Sequence, residues 1–247
     1  MMRAAMDALG IEGVYELLPT KAGGLEARLG AVRERFAGVN VTVPHKERIV
    51  PHLDEVTPEA AAIGAVNTVV NVEGRLVGHN TDAAGFYWAL ERAGWLTGEA
   101  LVLGAGGAAR AVVHALVREG WLVGVHNRSL ARAQRLVEEL GGWLVAPEKL
   151  EKAVRRTPLL VNATSVGLDE PEEMPLPPGV LPKSGRVVDL VYRPLETRLL
   201  REARAAGLEV QDGLEMLLGQ GVRAFELWTG RRAPVAAMER ALRERSA

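Results

Sequence analysis

Cysteine is absent from this sequence of 247 residues, and aromatic residues make up only 4% of it. The lack of cysteine excludes disulfide bonds and thiolate metal sites. The five histidines show no spacing typical of metal ligands on one helix, so we expect no metal site. No apolar run reaches the roughly 18–20 residues of a membrane span, and the first residues lack the apolar core of a secretory signal. We therefore expect a soluble, cytoplasmic protein with no membrane partner.

An excess of charge of either sign is also absent, since the formal net charge is −1. This balance offers no electrostatic attraction to nucleic acid, so we expect no nucleic-acid partner. Hydrophobic residues make up 48% of the chain, which at this length is enough for two modest cores. The oligomeric state stays open between a monomer and a homodimer.

A glycine-rich turn is the most informative local feature. Residues 101–110 read Leu-Val-Leu-Gly-Ala-Gly-Gly-Ala-Ala-Arg, an apolar strand that runs into the turn and then into a helix. This arrangement places a pyrophosphate at the N-terminus of the helix, and Gly104 and Gly106 let backbone N–H groups approach the phosphates. A strand–helix turn without a ligand has the same local pattern, and that alternative stays open at this point.

The next apolar strand, Trp121–His126, ends in Asn127-Arg128-Ser129. A dinucleotide-binding fold contacts the adenosine ribose at this position. NAD sites usually carry an acidic residue there, whereas an arginine can accommodate a 2′-phosphate. Arg128 therefore favours NADP over NAD.

Strands and helices alternate after residue 100, which predicts a parallel sheet covered by helices on both faces. The earlier residues predict a smaller α/β unit, and two closing helices that begin at Leu214 and Pro234 are expected to pack on it. The predicted strands of the smaller unit are Val14–Leu17, Val39–Val43, Val66–Val72 and Arg75–Gly78.

Polar side chains gather at strand ends of this smaller unit. Asn40 and Thr42 alternate with valines and should point to one face of their strand, and Lys46 follows shortly after. The segments that contain Asn67 and Asp82 each place polar residues at the end of a strand. Each has an ordinary alternative as a turn residue, and Asp82 as a helix cap. Together, amides, hydroxyls, an ammonium and a carboxylate predict a site for a small polyhydroxylated ligand.

The motifs around Asn40, Asn67, Asp82, Gly104 and Arg128 resemble those of shikimate dehydrogenases and occur in the same order. The resemblance extends to Asn-Ala-Thr-Ser-Val-Gly at 162–167 and to the segments 213–220 and 227–230, and it spans essentially residues 2–240. It implies NADP-dependent, reversible reduction of 3-dehydroshikimate to shikimate, a step of chorismate and aromatic amino acid biosynthesis.

The resemblance also implies an α/β fold with two domains and an active site in the cleft between them. The smaller, substrate-binding (catalytic) domain comprises 1–84 and 214–247, and the Rossmann-like NADP domain comprises 85–213. Lys46 and Asp82 are the implied catalytic pair. The implied substrate-binding residues are Asn40, Thr42, Asn67, Tyr192 and Gln220. The implied NADP-binding residues are Gly104, Ala105, Gly106, Gly107, Ala108, Asn127, Arg128, Ser129, Arg132, Thr164, Leu190 and Gly213.

One motif of that family has no counterpart in this sequence. Members carry a strand and a Ser-x-Ser-Pro segment ahead of a helix like Met2–Gly10, and the two serines hold the substrate carboxylate. We therefore expect weak substrate affinity. A weakly active or inactive NADP-binding homologue, and a quinate/shikimate dehydrogenase, are the alternatives.

Overall fold

The computed structural model describes residues 1–96 and 98–244, and the chain divides into two compact units. The first unit comprises Met1–Gly85 and Leu217–Ala247, and the second comprises Phe86–Met216. We predicted that residues 1–84 and 214–247 bind the substrate and that residues 85–213 bind NADP. These assignments of ligands to the two units stay predictions. Within the described residues, none of the helices combines the length and apolar character that a membrane span requires.

A four-stranded sheet organises the first unit, with the strand order β1-β3-β4-β2. The β3–β4 hairpin turns at Glu73 and Gly74, which both have positive φ, as two-residue hairpin turns of type I′ require. β1 and β3, and β3 and β4, pair antiparallel, whereas β2 and β4 are parallel. The strands are β1 (Gly38–Asn40), β2 (Glu55–Val56), β3 (Thr68–Val72) and β4 (Arg75–His79).

Helices cover this sheet through apolar faces. In α2 (Leu25–Arg35), the buried residues Leu25, Leu29 and Val32 recur at a spacing that aligns them on one side of the helix. Leu29 and Val32 belong to a core that also contains Ile49 and Leu76. The other helices with residues in this unit are α1 (Met2–Ala8), α3 (Pro58–Ile63), the start of α4 (Asp82–Arg92), most of α9 (Leu214–Thr229) and α10 (Val235–Glu244).

The second unit is built on a six-stranded parallel sheet, ordered β10-β9-β8-β5-β6-β7, which confirms the predicted parallel sheet. From β7 to β10 the strands are third, second, first, fourth, fifth and sixth in chain order, as in dinucleotide-binding folds. The strands are β5 (Glu99–Leu103), β6 (Leu122–His126), β7 (Trp143–Leu144), β8 (Leu159–Asn162), β9 (Arg186–Asp189) and β10 (Glu209–Gln211). The connecting helices are α5 (Gly107–Arg118), α6 (Leu130–Leu140), α7 (Pro147–Arg156) and α8 (Arg198–Ala205).

The order in which successive strands are added to this sheet reverses at β5. β6 and β7 lie on one side of β5, and β8, β9 and β10 lie on the other. Neighbouring parallel strands whose connections leave in opposite directions open a crevice at their carboxyl ends, and α/β proteins bind ligands there. β8 is buried along its whole length, and β5 everywhere except its first residue, as expected for strands covered on both faces. The loops after β5, β6, β8 and β9 therefore surround the position where a ligand of this unit is expected.

Two predicted strands differ from the structure. Residues 14–17 form no strand, because Val14 and Leu17 are 77% and 87% exposed and the Tyr15 carbonyl accepts hydrogen bonds from the Arg3 side chain instead. The strand predicted over Val39–Val43 ends at Asn40. Beyond Asn40 the backbone turns, and the His45 N–H donates a hydrogen bond to the Thr42 carbonyl. Pro44 has no N–H to donate, so it cannot continue the strand pairing.

A charged clamp joins α2 to the β3–β4 hairpin. The Asp54 carboxylate accepts hydrogen bonds from both terminal guanidinium nitrogens of Arg33 and, at 2.7 Å, from the Leu76 N–H. Arg33 also donates to the Gly74 carbonyl at 2.6 Å. The hydrogen bond from Arg33, more than the one from the backbone of Leu76, holds the pKa of Asp54 below its ordinary value of 3.8.

This clamp predicts a specific dependence of stability on pH. A carboxyl group with a lowered folded-state pKa stabilises the fold above its unfolded pKa, and that contribution is lost as the pH falls through the folded value. Asp54→Asn should therefore lower the urea midpoint at pH 7. It should also reduce the further loss of stability that occurs between pH 5 and pH 2. The control Glu55→Gln, which alters an exposed pair with Arg75, should keep the original pH dependence. An unchanged acid dependence in Asp54→Asn would contradict the prediction.

Candidate active site

Lys46 and Asp82 form a largely buried ion pair in the first unit. The Lys46 Nζ lies 2.6 Å from the Asp82 Oδ2, and the two side chains are 15% and 5% exposed. Lys46 lies between β1 and a short 3₁₀ helix, where its carbonyl accepts from the Val66 N–H at 2.8 Å. Asp82 is the first residue of α4, where the helix dipole favours a negative charge. The sequence therefore places an ammonium and a carboxylate in direct contact.

Asn67 fixes the other side of this carboxylate. Its Nδ2 donates to the Asp82 Oδ1 and to the Thr81 Oγ1, each at 2.9 Å, and lies 3.4 Å from the Gln220 Oε1. Its Oδ1 accepts from the Thr81 N–H at 2.7 Å. Since both oxygens of Asp82 have a donor, the carboxylate is held in one orientation towards Lys46.

Asn80, rather than Asp82, caps α4. The Asn80 Oδ1 accepts from the N–H groups of Asp82 and Ala83 at 3.0 and 3.2 Å, and its Nδ2 donates to the Ala65 carbonyl at 2.9 Å. The capping role considered as an alternative for Asp82 is therefore filled by Asn80. This arrangement leaves both Asp82 oxygens for side chains of the site.

A second line of hydrogen bonds connects the site to Asn40 at the end of β1. The Asn40 Oδ1 accepts from the Tyr15 hydroxyl at 2.8 Å, and its Nδ2 lies 3.2 Å from the Thr68 Oγ1. Thr68 is in turn 3.1 Å from the Thr81 Oγ1. Burial raises the pKa of Tyr15 above its ordinary value, so the phenol keeps its proton and donates it.

Sequence analysis did not single out Tyr15, Thr68 or Thr81. The two threonines follow Asn67 and Asn80 directly, and the hairpin register pairs Thr68 with His79. The predicted hairpin could therefore have indicated that both threonines lie close to the site. For Tyr15 the sequence offered none, because its contact with Asn40 depends on a loop path that was predicted as a strand.

Gln220 and Thr42 have contrasting positions. Gln220, on α9, is 9% exposed, and its Nε2 donates to the Leu217 carbonyl at 2.8 Å. Gly85 allows this approach, because a Cβ there would lie 2.4 Å from the Gln220 backbone nitrogen. Thr42, beyond the end of β1, is exposed. The structure thus brings Gln220 to Asn67, whereas no such contact places Thr42 within the described network.

The glycine-rich turn of the second unit is open at Gly106. Gly104 follows β5 with a φ of +120°, and a Cβ there would lie 2.9 Å from the Ala163 carbonyl oxygen, so this position requires glycine. Within the described residues, and leaving aside its neighbours along the chain, no atom lies within 4 Å of the place a Cβ would take on Gly106, just before α5. Ala105 is buried, while Gly107 and Ala108 begin the helix, whose first N–H groups have no acceptor within the helix. The residues present fit a phosphate group at this helix N-terminus.

The residues predicted to contact the adenosine lie at the end of β6. The Gly104 N–H donates to the carbonyl of His126 at 2.8 Å, which joins this strand end to the glycine-rich turn. Asn127 donates to the Ser129 carbonyl at 3.0 Å, and Arg128 and Ser129 are exposed. The Arg132 N–H donates to the same carbonyl at 3.1 Å, within the first turn of α6.

Three predicted NADP-binding residues lie just after the ends of β8, β9 and β10. The Leu190 N–H donates to the Asn162 carbonyl at 2.9 Å, and the Thr164 hydroxyl donates to the Asn162 Oδ1 at 2.7 Å. A Cβ on Gly213 would lie 2.3 Å from the Leu190 carbonyl oxygen, so this contact also requires glycine. Tyr192 follows in the same loop and is 43% exposed.

Comparisons with known proteins match the chain in three segments. Residues 1–69 match the family described as shikimate dehydrogenase substrate binding domain. Residues 89–168 match shikimate / quinate 5-dehydrogenase, and residues 213–243 match the shikimate 5′-dehydrogenase C-terminal domain.

Individual relatives are similar over nearly the whole chain. The shikimate dehydrogenase (NADP(+)) of Thermus thermophilus is 56% identical over 240 residues, which cover 97% of this chain and 90% of that protein. The protein of the same name from Moorella thermoacetica is 48% identical over 258 residues, covering 99% and 87%. A crystal structure of shikimate 5-dehydrogenase from Thermus thermophilus in complex with NADP(H) and shikimate has a TM-score of 0.92, at 53% identity, covering 98% of this chain and 92% of that one.

The Asn67 contacts predict a measurable cost for its removal. Asn67→Leu keeps a similar volume but leaves the Thr81 N–H and one Asp82 oxygen buried without Asn67 as a partner. The free energy of unfolding should fall by about 1–3 kcal/mol for each buried group left unpaired, measured by urea denaturation. The control Asn127→Leu removes only a local contact at a less buried position and should change stability by less than about 0.5 kcal/mol. Equal effects of the two changes would show that the network contributes nothing specific.

Proposed function

Because the chain belongs to the shikimate dehydrogenase family, as its motifs predicted, we propose that it catalyses the reversible, NADP-dependent reduction of 3-dehydroshikimate to shikimate. The observation that carries the proposal is the Lys46–Asp82 pair, an ammonium held at 2.6 Å by a carboxylate among amide and hydroxyl groups. A cytoplasmic location and a monomeric or homodimeric state stay predictions.

We assign the substrate to residues 1–84 and 214–247, and NADP to residues 85–213. The open space over Gly106 and the N-terminus of α5 supports a diphosphate at that turn. Arg128, exposed at the end of β6, is suited to hold the 2′-phosphate through its planar, two-pronged guanidinium. When bound, the reduced cofactor supplies the hydride that the carbonyl carbon accepts.

Lys46 acts on the oxygen of the same carbonyl. Negative charge builds on this oxygen during reduction, and a nearby ammonium both neutralises it and donates the proton that completes the hydroxyl. Asp82 orients the ammonium and takes part in the proton relay. In the oxidation of shikimate, the neutral Lys46 amine accepts the hydroxyl proton, so that the same two side chains serve both directions.

The remaining polar residues are assigned to the substrate hydroxyls. Asn40, Asn67 and Gln220 belong to the hydrogen-bonded network around the ion pair, which supports this assignment. Thr42 and Tyr192 are exposed, and their assignment rests on the family motifs alone.

A direct assay tests the proposal. The purified protein is incubated with shikimate and NADP, and the absorbance of the reduced nicotinamide is followed. The proposal predicts its appearance with NADP, and slower appearance with NAD. Binding of NADP without turnover would instead support the non-catalytic homologue. Faster turnover of quinate would support the quinate alternative, which the family description matched by residues 89–168 also covers.

Lys46→Ala should lower kcat by about 10²–10⁴-fold, because the proton donor is lost. Lys46→Arg should also lose turnover, since it keeps the positive charge beside Asp82 but does not release its proton at neutral pH. The dissociation constant of NADP should stay within about twofold in both variants. The control Lys21→Ala, at an exposed position of the same unit, should keep full activity. Equal losses of turnover and of NADP binding in Lys46→Arg would show that Lys46 has a structural role only.

Arg128→Asp should weaken NADP binding by about 10–100-fold, the contribution of charge-assisted hydrogen bonds to one phosphate. Binding of NAD should become relatively stronger, because an acidic side chain at this position accepts from the ribose 2′-hydroxyl. Arg135→Asp makes the same change of charge on the exposed side of α6 and should leave the preference for NADP intact. Titration of both cofactors separates these outcomes, and an unchanged preference in Arg128→Asp would remove the basis for assigning the 2′-phosphate to it.

A further inference from the structure

Asp189, the last residue of β9, is a fully buried carboxylate outside the Lys46–Asp82 site. A charge in the protein interior is stable only when hydrogen bonds replace the water it has lost. The groups that donate to Asp189 in the described part of the chain are all neutral. A buried carboxylate with neutral partners acts as a strong hydrogen-bond acceptor at a fixed position.

Its hydrogen bonds reach three separate segments. Asp189 Oδ1 accepts from the Asn162 Nδ2 at 2.9 Å and from the Val191 N–H at 3.0 Å, while Oδ2 accepts from the Thr197 hydroxyl at 2.7 Å. Asn162 ends β8, Val191 lies in the loop after β9, and Thr197 precedes α8. One side chain therefore ties the end of a neighbouring strand, its own loop and a helix start together.

The partners of Asp189 extend its effect by one further step. The Asn162 Oδ1 accepts from the Thr164 hydroxyl at 2.7 Å and from the Thr164 N–H at 3.1 Å. The Thr197 Oγ1 accepts from the Leu200 N–H at 3.3 Å and so caps α8. The positions of Thr164 and of the whole 190–197 loop thus depend on the same carboxylate.

This loop lies across β5 from the β6 end that is assigned to the adenosine half, and it carries Leu190, assigned to NADP, and Tyr192, assigned to the substrate. Leu190 and Tyr192 flank Val191, whose N–H donates to Asp189 and whose carbonyl accepts from the Gly213 N–H at 3.2 Å. We propose that Asp189 is a positioning residue: through Asn162, Val191 and Thr197 it holds Thr164 and Leu190–Tyr192 where the nicotinamide half of NADP binds. This inference rests on the proposed function.

The ionisation of Asp189 adds a pH dependence to this role. Burial raises its pKa from 3.8 to about 6, against the lowering effect of its hydrogen bonds. Protonated Asp189 would present an O–H to groups that themselves donate in this arrangement, so its hold on the loop weakens as the pH falls through about 6. The nearby charged side chains are directed elsewhere: Arg193 is exposed, and ion pairs join Arg186 to Glu209, Glu196 to Arg204, Arg198 to Glu202 and Arg201 to Glu172.

Two ligands separate the nicotinamide side from the rest of the site. NADP carries both halves of the cofactor, whereas ADP-ribose 2′-phosphate has the same adenosine, 2′-phosphate and diphosphate groups and lacks only the nicotinamide ring. The 2′-phosphate itself titrates near pH 6 and affects both ligands alike. The ratio of their dissociation constants therefore isolates the contribution of the loop held by Asp189, and it requires no turnover.

The experiment compares Asp189→Asn with the unchanged protein by calorimetric titration of both ligands between pH 5 and pH 8. We expect Asp189→Asn to weaken NADP binding about tenfold at pH 8, and ADP-ribose 2′-phosphate binding less than twofold. In the unchanged protein, the advantage of NADP over the smaller ligand should fall as the pH drops from 8 to 5, and in the variant it should be constant. The control Asp169→Asn, at an exposed position of the same unit, should match the unchanged protein.

A second pair of variants covers the case in which Asp189→Asn does not fold. Thr197→Val removes one donor to Asp189 and should selectively weaken NADP binding, whereas Thr197→Ser keeps the hydroxyl and should restore it. In the ligand-free protein, the Val191 amide should exchange its hydrogen faster in Thr197→Val than in Thr197→Ser. Equal weakening of both ligands, or no weakening of either, would overturn the inference. Failure of the unchanged protein to bind either ligand would instead overturn the proposed function.

Discussion

A carboxylate that leaves water needs a donor for each of its oxygens, and the first unit is arranged around meeting that need for Asp82. One oxygen accepts from Lys46 and the other from Asn67. The Thr81 N–H donates to Asn67 and fixes its orientation. Asn80 caps the helix, which leaves the Asp82 carboxylate for these contacts. The start of β3, the end of β4 and the start of α4 thus meet around a single buried charge.

The second unit buries a carboxylate by different means. Asp189 has neutral donors, and burial raises its pKa to about 6, whereas Asp82 is paired with an ammonium. An ion pair places a transferable proton beside the site, which suits acid–base chemistry. A carboxylate surrounded by neutral donors offers only acceptors, which suits the fixing of a loop. The surroundings of the two residues, rather than their common chemistry, separate the roles proposed for them.

The sequence predicted those features that depend on local pattern. Alternating strands and helices, the parallel sheet and the hairpin turn follow from hydrophobic periodicity and from glycines such as Gly74 and Gly104, whose conformations need no side chain. The loop through Tyr15 was wrongly predicted as a strand, because the sequence does not reveal that apolar residues such as Val14 and Leu17 face solvent. The hydrogen bond between Tyr15 and Asn40 and the one between Asn162 and Asp189 join residues 25 and 27 positions apart in sequence, and no local pattern encodes them.

In the proposed reaction, the Lys46 ammonium delivers a proton to the substrate oxygen while Asp82 holds the ammonium in place. A crystal structure of the protein with shikimate and oxidised NADP would show whether Lys46 reaches that oxygen. We expect the Lys46 Nζ to lie about 2.7–3.2 Å from the hydroxyl being oxidised and to keep its contact with Asp82. A bound shikimate whose reactive hydroxyl contacts neither Lys46 nor a water bound to it would rule out this role of Lys46.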